Sequence, residues 1–329
     1  MRKLYYIFFA LLFMCGCDKE ALRTGDAEFL DQYIFIDAGV AATKGLLLSG
    51  TLPAAKNTAF GVLGYRGTQN KPVFDMYSNN IAKLYRPAES GLFKYDELAL
   101  WTAGESHSFY AYYPYDATSV GYDDNGTPYI TYSQPKGLGS MVDVMTATVL
   151  KTNAAAHKTE PVTFDFQHRL FAIGLNVVNA QESKQDIVIT EAAIEFVDVN
   201  TTARFNIDSD KSYTASTPAN ISHNYDFEPV TLSIPVGEIS VSHNLNSGNE
   251  FLFIPCSSLT VKISLKLKNA WGQESSYTIN ETITPGGGLE AGKRYQMTVT
   301  KSDKEDKGIE FSCNVTNGWT SVNIPTSFQ

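Results

Sequence analysis

The sequence lacks the short motifs by which catalytic and nucleotide-binding chains are recognised. It contains no GxSxG, HExxH, Walker or GxGxxG pattern. The three glycines at 286–288 are not followed by Lys-Ser or Lys-Thr, so they indicate a flexible turn rather than a phosphate loop. The chain has five histidines, and the strand residue His168 has no cysteine or serine motif beside it. We therefore expect no enzyme and no cofactor.

Positive charge is also scarce. The chain carries 26 Lys and Arg against 35 Asp and Glu, a formal net charge of −9. Such an acidic surface argues against nucleic acid and against an anionic membrane as electrostatic partners. The acidic pairs Asp123-Asp124 and Asp208/Asp210 lack the regular ladder ending in Glu that a calcium loop needs, so we expect no metal site.

Cysteine is nearly absent from the body of the chain. Of four cysteines, Cys15 and Cys17 belong to the N-terminal leader, which leaves Cys256 and Cys313. The two could form a disulfide in an oxidising compartment, or lie as small apolar residues in separate strands. No CxxC spacing favours a metal, and the sequence leaves the two alternatives open.

Long amphipathic stretches of helical period are missing as well. Short apolar runs with strand-like alternation recur between Gly, Pro and Asn turns, which predicts an all-β protein built of sandwiches. Asp123 to Gly126 (DDNG) is a hairpin turn signal. Val162 to Val178 is one long strand or two joined. Its apolar phase changes face after His168, which requires a bulge or a strand buried on both sides.

The length of 329 residues suits two domains rather than one. We place the N-terminal sandwich at residues 33–180 and the C-terminal sandwich at residues 181–329, because the composition turns polar near 179–185. Aromatic residues are abundant, with 18 Tyr and 19 Phe, which argues against disorder. Trp101, Trp271 and Trp319 are expected in buried cores rather than stacked on sugars.

Residues 1–17 have the pattern of a lipoprotein signal peptide. Arg2 and Lys3 precede an uninterrupted apolar run, Leu4 to Met14, which is too short to span a bilayer as a helix. Gly16-Cys17 then closes the run and resembles a bacterial lipobox, in which the cysteine is lipidated and becomes the new N-terminus. The alternative is an ordinary secretory signal with Cys17 a bystander. Residues 18–32 follow as a tether.

Five motifs in order resemble the fimbrillin-like proteins, the type V pilins of Gram-negative anaerobes, and the resemblance covers most of the mature chain. They are FGVLGY at 60–65, FYAYYPYD at 109–116, DVMTATV at 143–149, VTFDFQHRLFAIGLNV at 162–177 and LEAGKRYQMTV at 289–299.

The resemblance implies two tandem transthyretin-like Greek-key sandwiches, exported as an outer-membrane lipoprotein anchored by a palmitate-type lipid on Cys17. It also implies cleavage by a trypsin-like protease in the loop after the first strand. The candidate strand is Tyr33 to Val40, and the candidate bond follows Lys44. Arg23 is a second candidate, but a cut there would release the lipid without opening a groove. The family usually has Arg at the site, so uncleaved, lipid-anchored protein is the alternative.

The resemblance further implies that the C-terminal strand of one subunit fills the groove of the next. The candidate donor residues alternate along two apolar segments: Phe311, Cys313 and Val315, then Val322 and Ile324. The alternative is that this tail completes its own sandwich. The expected partners are other fimbrial subunits at the cell surface and a host or bacterial surface ligand. A second hypothesis is a lipoprotein that does not polymerise and binds glycan or protein.

Overall fold

The computed structural model describes residues 33–40, 59–85, 93–116, 118–157, 160–180, 185–208, 212–214, 218–225, 228–246, 250–302, 308–315 and 323–324. Within these ranges the regular structure is β-strand, with three short 3-10 turns at Ser78–Asn80, Leu138–Ser140 and Ala154–His157 and no α-helix. The all-β prediction is confirmed. The transthyretin-like and Greek-key topology stays a prediction.

The strands are numbered here in chain order. They are β1 (Ile36–Val40), β2 (Ala59–Arg66), β3 (Lys71–Pro72), β4 (Ile81–Tyr85), β5 (His107–Tyr113), β6 (Ser119–Tyr122), β7 (Pro128–Ser133), β8 (Met145–Thr152), β9 (Val162–His168), β10 (Phe171–Ala180), β11 (Ile187–Val199), β12 (Thr202–Asn206), β13 (Ser212–Thr214), β14 (Ala219–Asn224), β15 (Val230–Leu232), β16 (Ser240–Asn244), β17 (Phe251–Phe253), β18 (Leu259–Asn269), β19 (Glu274–Ile283), β20 (Arg294–Lys301), β21 (Ile309–Val315) and β22 (Asn323–Ile324).

The first sheet has the order β1-β9-β8-β5-β2-β3, with β4 also paired to β2. One face of this sheet carries the core of the first half, as β9 illustrates. Val162, Phe164 and Phe166 are buried while the residues between them are exposed, which is the period-two pattern of a half-buried strand. The ring of Phe60 packs edge to face on Phe164 and Phe166, at centroid distances of 6.3 and 5.3 Å respectively.

In the structure the first half is taken as the described residues up to 168 and the second half as those from 169 onward, and the second half contains a two-layer sandwich. Its second sheet has the order β16-β10-β20-β21-β22, with β17 paired to β10, and its third sheet has the order β14-β11-β18-β19, with β15 paired to β11. Alternate residues of β18 point inward, and side chains from both sheets share one apolar core. Phe196 of the third sheet contacts Phe251 and Phe253 of the second at centroid distances of 4.8 and 4.7 Å.

The fourth sheet joins the two halves, because its order is β13-β12-β7-β6 and each half contributes two strands. It packs on the face of the first sheet that is turned away from the core of the first half. We call the buried residues between them the shared cluster. Its members are Leu63, Tyr112, Ile130, Tyr132, Val144, Leu170, Ala172, Ala203, Phe205, Ile207, Leu252 and Ile254.

The change of face after His168 has a simpler cause than a bulge. β9 ends at His168, and the chain passes through Arg169 and Leu170 before β10 begins in a different sheet. The stretch is two joined strands, as one of the alternatives held, and no bulge is needed because the chain changes sheet. The expected burial on both sides is found at the start of β10, where Phe171 to Leu175 are all buried. β10 pairs with β16, β17 and β20 of the second half. The division after residue 180 stays a prediction.

Two local expectations have opposite outcomes. The DDNG segment is a turn between β6 and β7, as predicted, with Gly126 at φ 77° and the Asp123 carboxylate accepting the amide N–H groups of Asn125 and Thr127. The tryptophan expectation is only half right. Trp101 is buried, but Trp271 is exposed at the turn between β18 and β19. Trp319 lies outside the described residues.

Candidate functional site: the seat of the first strand

The first strand lies between β9 on one side and residues 93–100, here called the wall segment, on the other. β1 runs parallel to β9 from Ile36 opposite Val162 onward. The N–H of Val162 donates to the carbonyl of Phe35 at 2.8 Å. The candidate removable strand is therefore inserted into the fold and hydrogen-bonded on both sides. We call its surroundings, β9 and the wall segment, the seat.

The wall segment binds the strand through its backbone. The N–H of Ile34 donates to the carbonyl of Ala99 at 2.9 Å, and the N–H of Phe93 donates to the carbonyl of Ile36 at 3.1 Å. A further bridge pairs Tyr33 with Leu100. Removing the strand would leave these backbone groups without their partners, as at an open sheet edge.

Alternate side chains of the strand fill apolar pockets. Ile34, Ile36 and Ala38 are buried in the core of the first half, whereas Phe35 and Asp37 are only partly buried. This pattern matches a strand recognised by main-chain hydrogen bonds and by pockets for every second residue.

Tyr95 is a fixed part of the wall that the sequence did not single out. Its hydroxyl donates to the carbonyl of Ile34 at 2.5 Å and accepts the N–H of Ala99 at 3.3 Å. Burial raises the pKa of this phenol well above its ordinary value. Its ring meets Phe74 edge to face at 5.7 Å. No sequence pattern distinguishes this tyrosine from the other aromatic residues of the chain.

Two histidines pack against Trp101, just beyond the wall segment. The Trp101 ring stacks on His157 at a centroid distance of 5.5 Å and meets His107 edge-on at 4.8 Å. His107 Nε2 accepts the N–H of Thr102 at 3.4 Å, and its Nδ1 donates to the carbonyl of Glu105 at 3.2 Å. Burial lowers the pKa of His107. These contacts fix the end of the wall.

The predicted lipidation and cleavage residues cannot be placed against this seat. Cys17, Arg23 and Lys44 lie outside the described residues, as does Val322. The description of the seat therefore rests on residues 33–40, which lie between Arg23 and Lys44 in the sequence.

The candidate donor residues of the first tail segment lie in β21. Phe311, Cys313 and Val315 are buried in the core of the second half, and β21 pairs antiparallel with β20. Ile324 lies in β22, opposite Cys313. In this arrangement β21 completes the sandwich of its own chain, and β22 forms the outer end of that sheet.

The two remaining cysteines are free thiols. Cys256 is partly buried and exchanges two backbone hydrogen bonds with Leu289, at 3.1 and 2.7 Å. Burial raises the pKa of Cys256 to about 11 and that of Cys313 to about 12, so both thiols stay protonated near neutral pH.

A cavity of about 620 Å³ brings Cys256 together with His168 and Ser257 near the shared cluster. His168 Nδ1 donates to the Asp143 carboxylate at 2.5 Å. These are residue types of a nucleophilic site, but the raised pKa of the thiol opposes formation of the thiolate that such chemistry needs.

Neither a metal site nor a membrane helix is found in the part of the chain that the structure describes. No three His, Cys, Asp or Glu side chains come together there as a metal ion would require. No helix in the described ranges has the length and apolar character needed to cross a bilayer.

A sequence profile of fimbrillin-like proteins matches residues 50–319. The chain belongs to the fimbrillin-like family. The match begins after the first strand and includes the wall segment, β9 and the whole second half up to residue 319. A search of curated proteins finds no match to the chain.

Solved structures share the fold of this fimbrillin-like chain. A fimbrial protein from Bacteroides vulgatus matches with a TM-score of 0.63 and 16% identity, over 88% of this chain and 100% of that one. A protein from Bacteroides uniformis assigned to cell adhesion matches at 0.50 and 18%, covering 88% and 98%. One from Bacteroides ovatus, also assigned to cell adhesion, matches at 0.51 and 14%, covering 88% and 97%.

Proposed function

We propose that this fimbrillin-like chain is a structural or adhesive subunit of cell-surface fimbriae that polymerises by exchange of a strand. The observation that carries the proposal is the seat of the first strand. A short segment is held by backbone hydrogen bonds to β9 and to the wall segment, with Ile34, Ile36 and Ala38 in pockets. Family membership supports the fimbrial role.

Cleavage after Lys44 would separate the first strand from the rest of the fold. β1 ends at Val40 and β2 starts at Ala59, so a cut between them leaves β1 held only by non-covalent contacts. A cut after Arg23 would free the lipid on Cys17 and leave the strand covalently attached. In this proposal the uncut chain is an outer-membrane lipoprotein and the cut chain is the polymerising form.

An emptied seat would attract a strand of matching pattern. Its apolar pockets would be exposed to water, and the N–H groups of Phe93 and Val162 would lose their acceptors. A donated segment would restore both the main-chain bonds and the buried side chains.

The donor is best sought beyond β21. Donating Phe311, Cys313 and Val315 would uncover the core that they complete in their own chain. Val322 and Ile324 carry the same alternation, and Ile324 lies in the outermost strand of its sheet. We therefore propose the segment with Val322 and Ile324 as the donor.

The first test compares the parent chain with Lys44→Gln at a low dose of trypsin, analysed on an unboiled denaturing gel. We expect the parent to lose its first 44 residues, identified by mass, and to form a ladder of oligomers. Lys44→Gln should stay monomeric, whereas the matched control Arg23→Gln should polymerise like the parent.

The second test deletes residues 316–329 and keeps β21. Trypsin should still cut this variant, and its thermal midpoint should stay near that of the parent, but no ladder should form. Polymers of unchanged length would remove the tail from the mechanism. A parent that is cut and remains a monomer, yet binds a glycan array, would favour the non-polymerising binding protein.

A further inference from the structure

The three most exposed large apolar side chains of the described residues lie on two turns of the second half. Val236 is fully exposed, Ile239 is 74% exposed and Trp271 is 71% exposed. The first two belong to the turn 233–239 between β15 and β16, and Trp271 belongs to the turn 270–273 between β18 and β19. We call these three side chains the apolar tip.

Both turns have a defined shape. The N–H of Glu238 donates to the carbonyl of Pro235 at 3.1 Å, which closes the first turn. In the second turn, the side-chain oxygen of Asn269 accepts the N–H of Trp271 at 3.1 Å and that of Gln273 at 2.9 Å. The apolar side chains are therefore presented by hydrogen-bonded turns.

Strand register brings the two turns to one end of the sandwich. Ile187, the first residue of β11, lies opposite Leu232 at the end of β15 and opposite Asn269 at the end of β18. Both neighbouring strands then run past the start of β11 into their turns. β16, which follows Ile239 directly, starts opposite Ala180, the last residue of β10.

This end is remote from the first half. Leu170, just before β10, and Ala172, the second residue of β10, belong to the shared cluster. β10 spans the ten residues from Phe171 to Ala180. At about 3.3 Å per residue, the apolar tip lies roughly 30 Å from the contact between the halves.

A second group of exposed apolar side chains lies beside the seat of the first strand. Met76 is 43% exposed, Leu98 39% and Leu100 54%. Leu100 pairs with Tyr33, and the Tyr77 hydroxyl donates to the carbonyl of Glu97 at 3.2 Å, so the two chain segments that carry these residues touch. We call Met76, Leu98 and Leu100 the outer patch.

The outer patch lies at the end of the first sheet that is away from the shared cluster. Tyr33, the partner of Leu100, precedes β1, and Ile36 lies opposite Val162 at the start of β9. The other end of β9, at His168, leads into Leu170 of the shared cluster. Along the chain path through β9 and β10, the shared cluster therefore lies between the outer patch and the apolar tip.

We propose that the apolar tip of one copy packs on the outer patch of the next copy. Because the two patches are different surfaces, one in each half, their contact is head-to-tail, which builds chains or rings rather than two-fold pairs. Both groups consist of large apolar side chains, and burying them away from water has a favourable free energy.

This inference rests on the proposed strand exchange, which would bring the second half of one copy to the seat of the next. The seat is bounded by the wall segment, and the wall segment carries Leu98 and Leu100. β22 runs antiparallel to β21, from opposite Asn314 to opposite Cys313, and so heads toward the end that carries the apolar tip. The exchanged strand and the apolar contact would thus form at the same junction.

Cysteine cross-linking tests the contact directly, in a Cys256→Ser background that removes the partly exposed native thiol. Chains with Ile239→Cys and chains with Leu98→Cys are cut with trypsin, mixed and treated with a short bis-maleimide. We expect a cross-linked pair that joins positions 239 and 98 of different chains. The control replaces Leu98→Cys by Val142→Cys, which is 40% exposed near the shared cluster and should give no link to position 239.

A variant with a polar tip tests how much the apolar tip contributes to polymerisation. Val236→Ser, Ile239→Ser and Trp271→Ser together should raise the concentration of cut subunit needed for half-maximal polymerisation by about tenfold or more. The thermal midpoint and the trypsin cut should not change. The matched control changes exposed apolar residues elsewhere, Tyr122→Ser with Val142→Ser, and should polymerise like the parent.

The outcomes separate the two proposals. If the parent forms polymers, but no 239–98 link appears and the triple variant polymerises normally, the contact is wrong and strand exchange stands. If the cut parent forms no polymer, both are wrong. Binding of the apolar tip to a glycan or a foreign protein, with polymerisation unaffected, would assign the tip to that partner and overturn the contact between copies.

Discussion

At the residue scale, His107 shows how a titratable group can be built into an apolar support. It is buried against Trp101 and Phe109, at centroid distances of 4.8 and 6.2 Å. Its Nε2 accepts a backbone N–H, a role that the protonated ring cannot fill. Burial lowers the pKa of His107, and the positive charge of Arg66 acts in the same direction, while Glu105 opposes them.

This environment predicts a pH dependence of stability. The unfolded chain takes up a proton near pH 6.5, but the folded chain does so only at lower pH, so the free energy of unfolding declines as the pH falls below about 6.5. One proton contributes at most about 1.4 kcal/mol per pH unit. Urea unfolding from pH 8 to 5 should show this slope, and His107→Gln should flatten it.

The pH dependence of the free energy of unfolding that remains in His107→Gln comes from other titratable groups. Burial also lowers the pKa of His223, so a shallower acid-side decline should persist in His107→Gln. A slope identical to that of the parent would mean that protonation of His107 is not coupled to folding.

At the element scale, the decisive strands are the first and the last two. β1 alternates buried and partly buried residues over a short length and is flanked in sequence by the candidate cleavage residue. β21 has the same alternation but lies inside its sheet, between β20 and β22. Both segments bury alternate side chains in a core, so what distinguishes the first strand is the candidate cleavage residue that follows it in sequence.

Substitutions in β21 should therefore act on the stability of the subunit itself. Phe311→Ala removes a buried ring and should lower the free energy of unfolding by about 3–5 kcal/mol, measured by urea unfolding of the uncut monomer. Ser312→Ala, on the partly exposed face of the same strand, should change it by less than about 0.5 kcal/mol. Equal, small effects of both changes would show that β21 does not complete the core of its own chain.

At the scale of the whole molecule, the fourth sheet and the shared cluster determine how the halves behave together. β7 of the first half pairs with β12 of the second, from Thr202 opposite Ser133 to Asn206 opposite Tyr129. Because a sheet and an apolar cluster both cross between the halves, neither half can lose its structure without exposing buried surface of the other.

The halves should accordingly unfold together. Calorimetry of the uncut monomer should give one transition, and amides of β9 and β18 should lose hydrogen-exchange protection at the same denaturant concentration. Phe205→Ala, in the shared cluster, should weaken protection in both strands. Two separated transitions in the parent would contradict this coupling.

The fold class and the family can be predicted from the sequence alone. Alternation at Val162, Phe164 and Phe166 indicates a half-buried strand, and DDNG indicates a turn, because both signals arise from neighbouring residues and local backbone geometry. The ordered motifs that resemble fimbrillin-like proteins extend this local information to most of the chain.

The pairing of strands, in contrast, is known only from the folded chain. The apolar phase after His168 reflects a move to another sheet, Trp271 belongs to an exposed tip, and Tyr95 supports the first strand through a hydroxyl that contacts the backbone of Ile34. Periodicity reports which residues share a face, but the partner across the sheet is far away in sequence and chosen by packing. For that reason the seat, the shared cluster, the apolar tip and the outer patch can be recognised only in the folded chain.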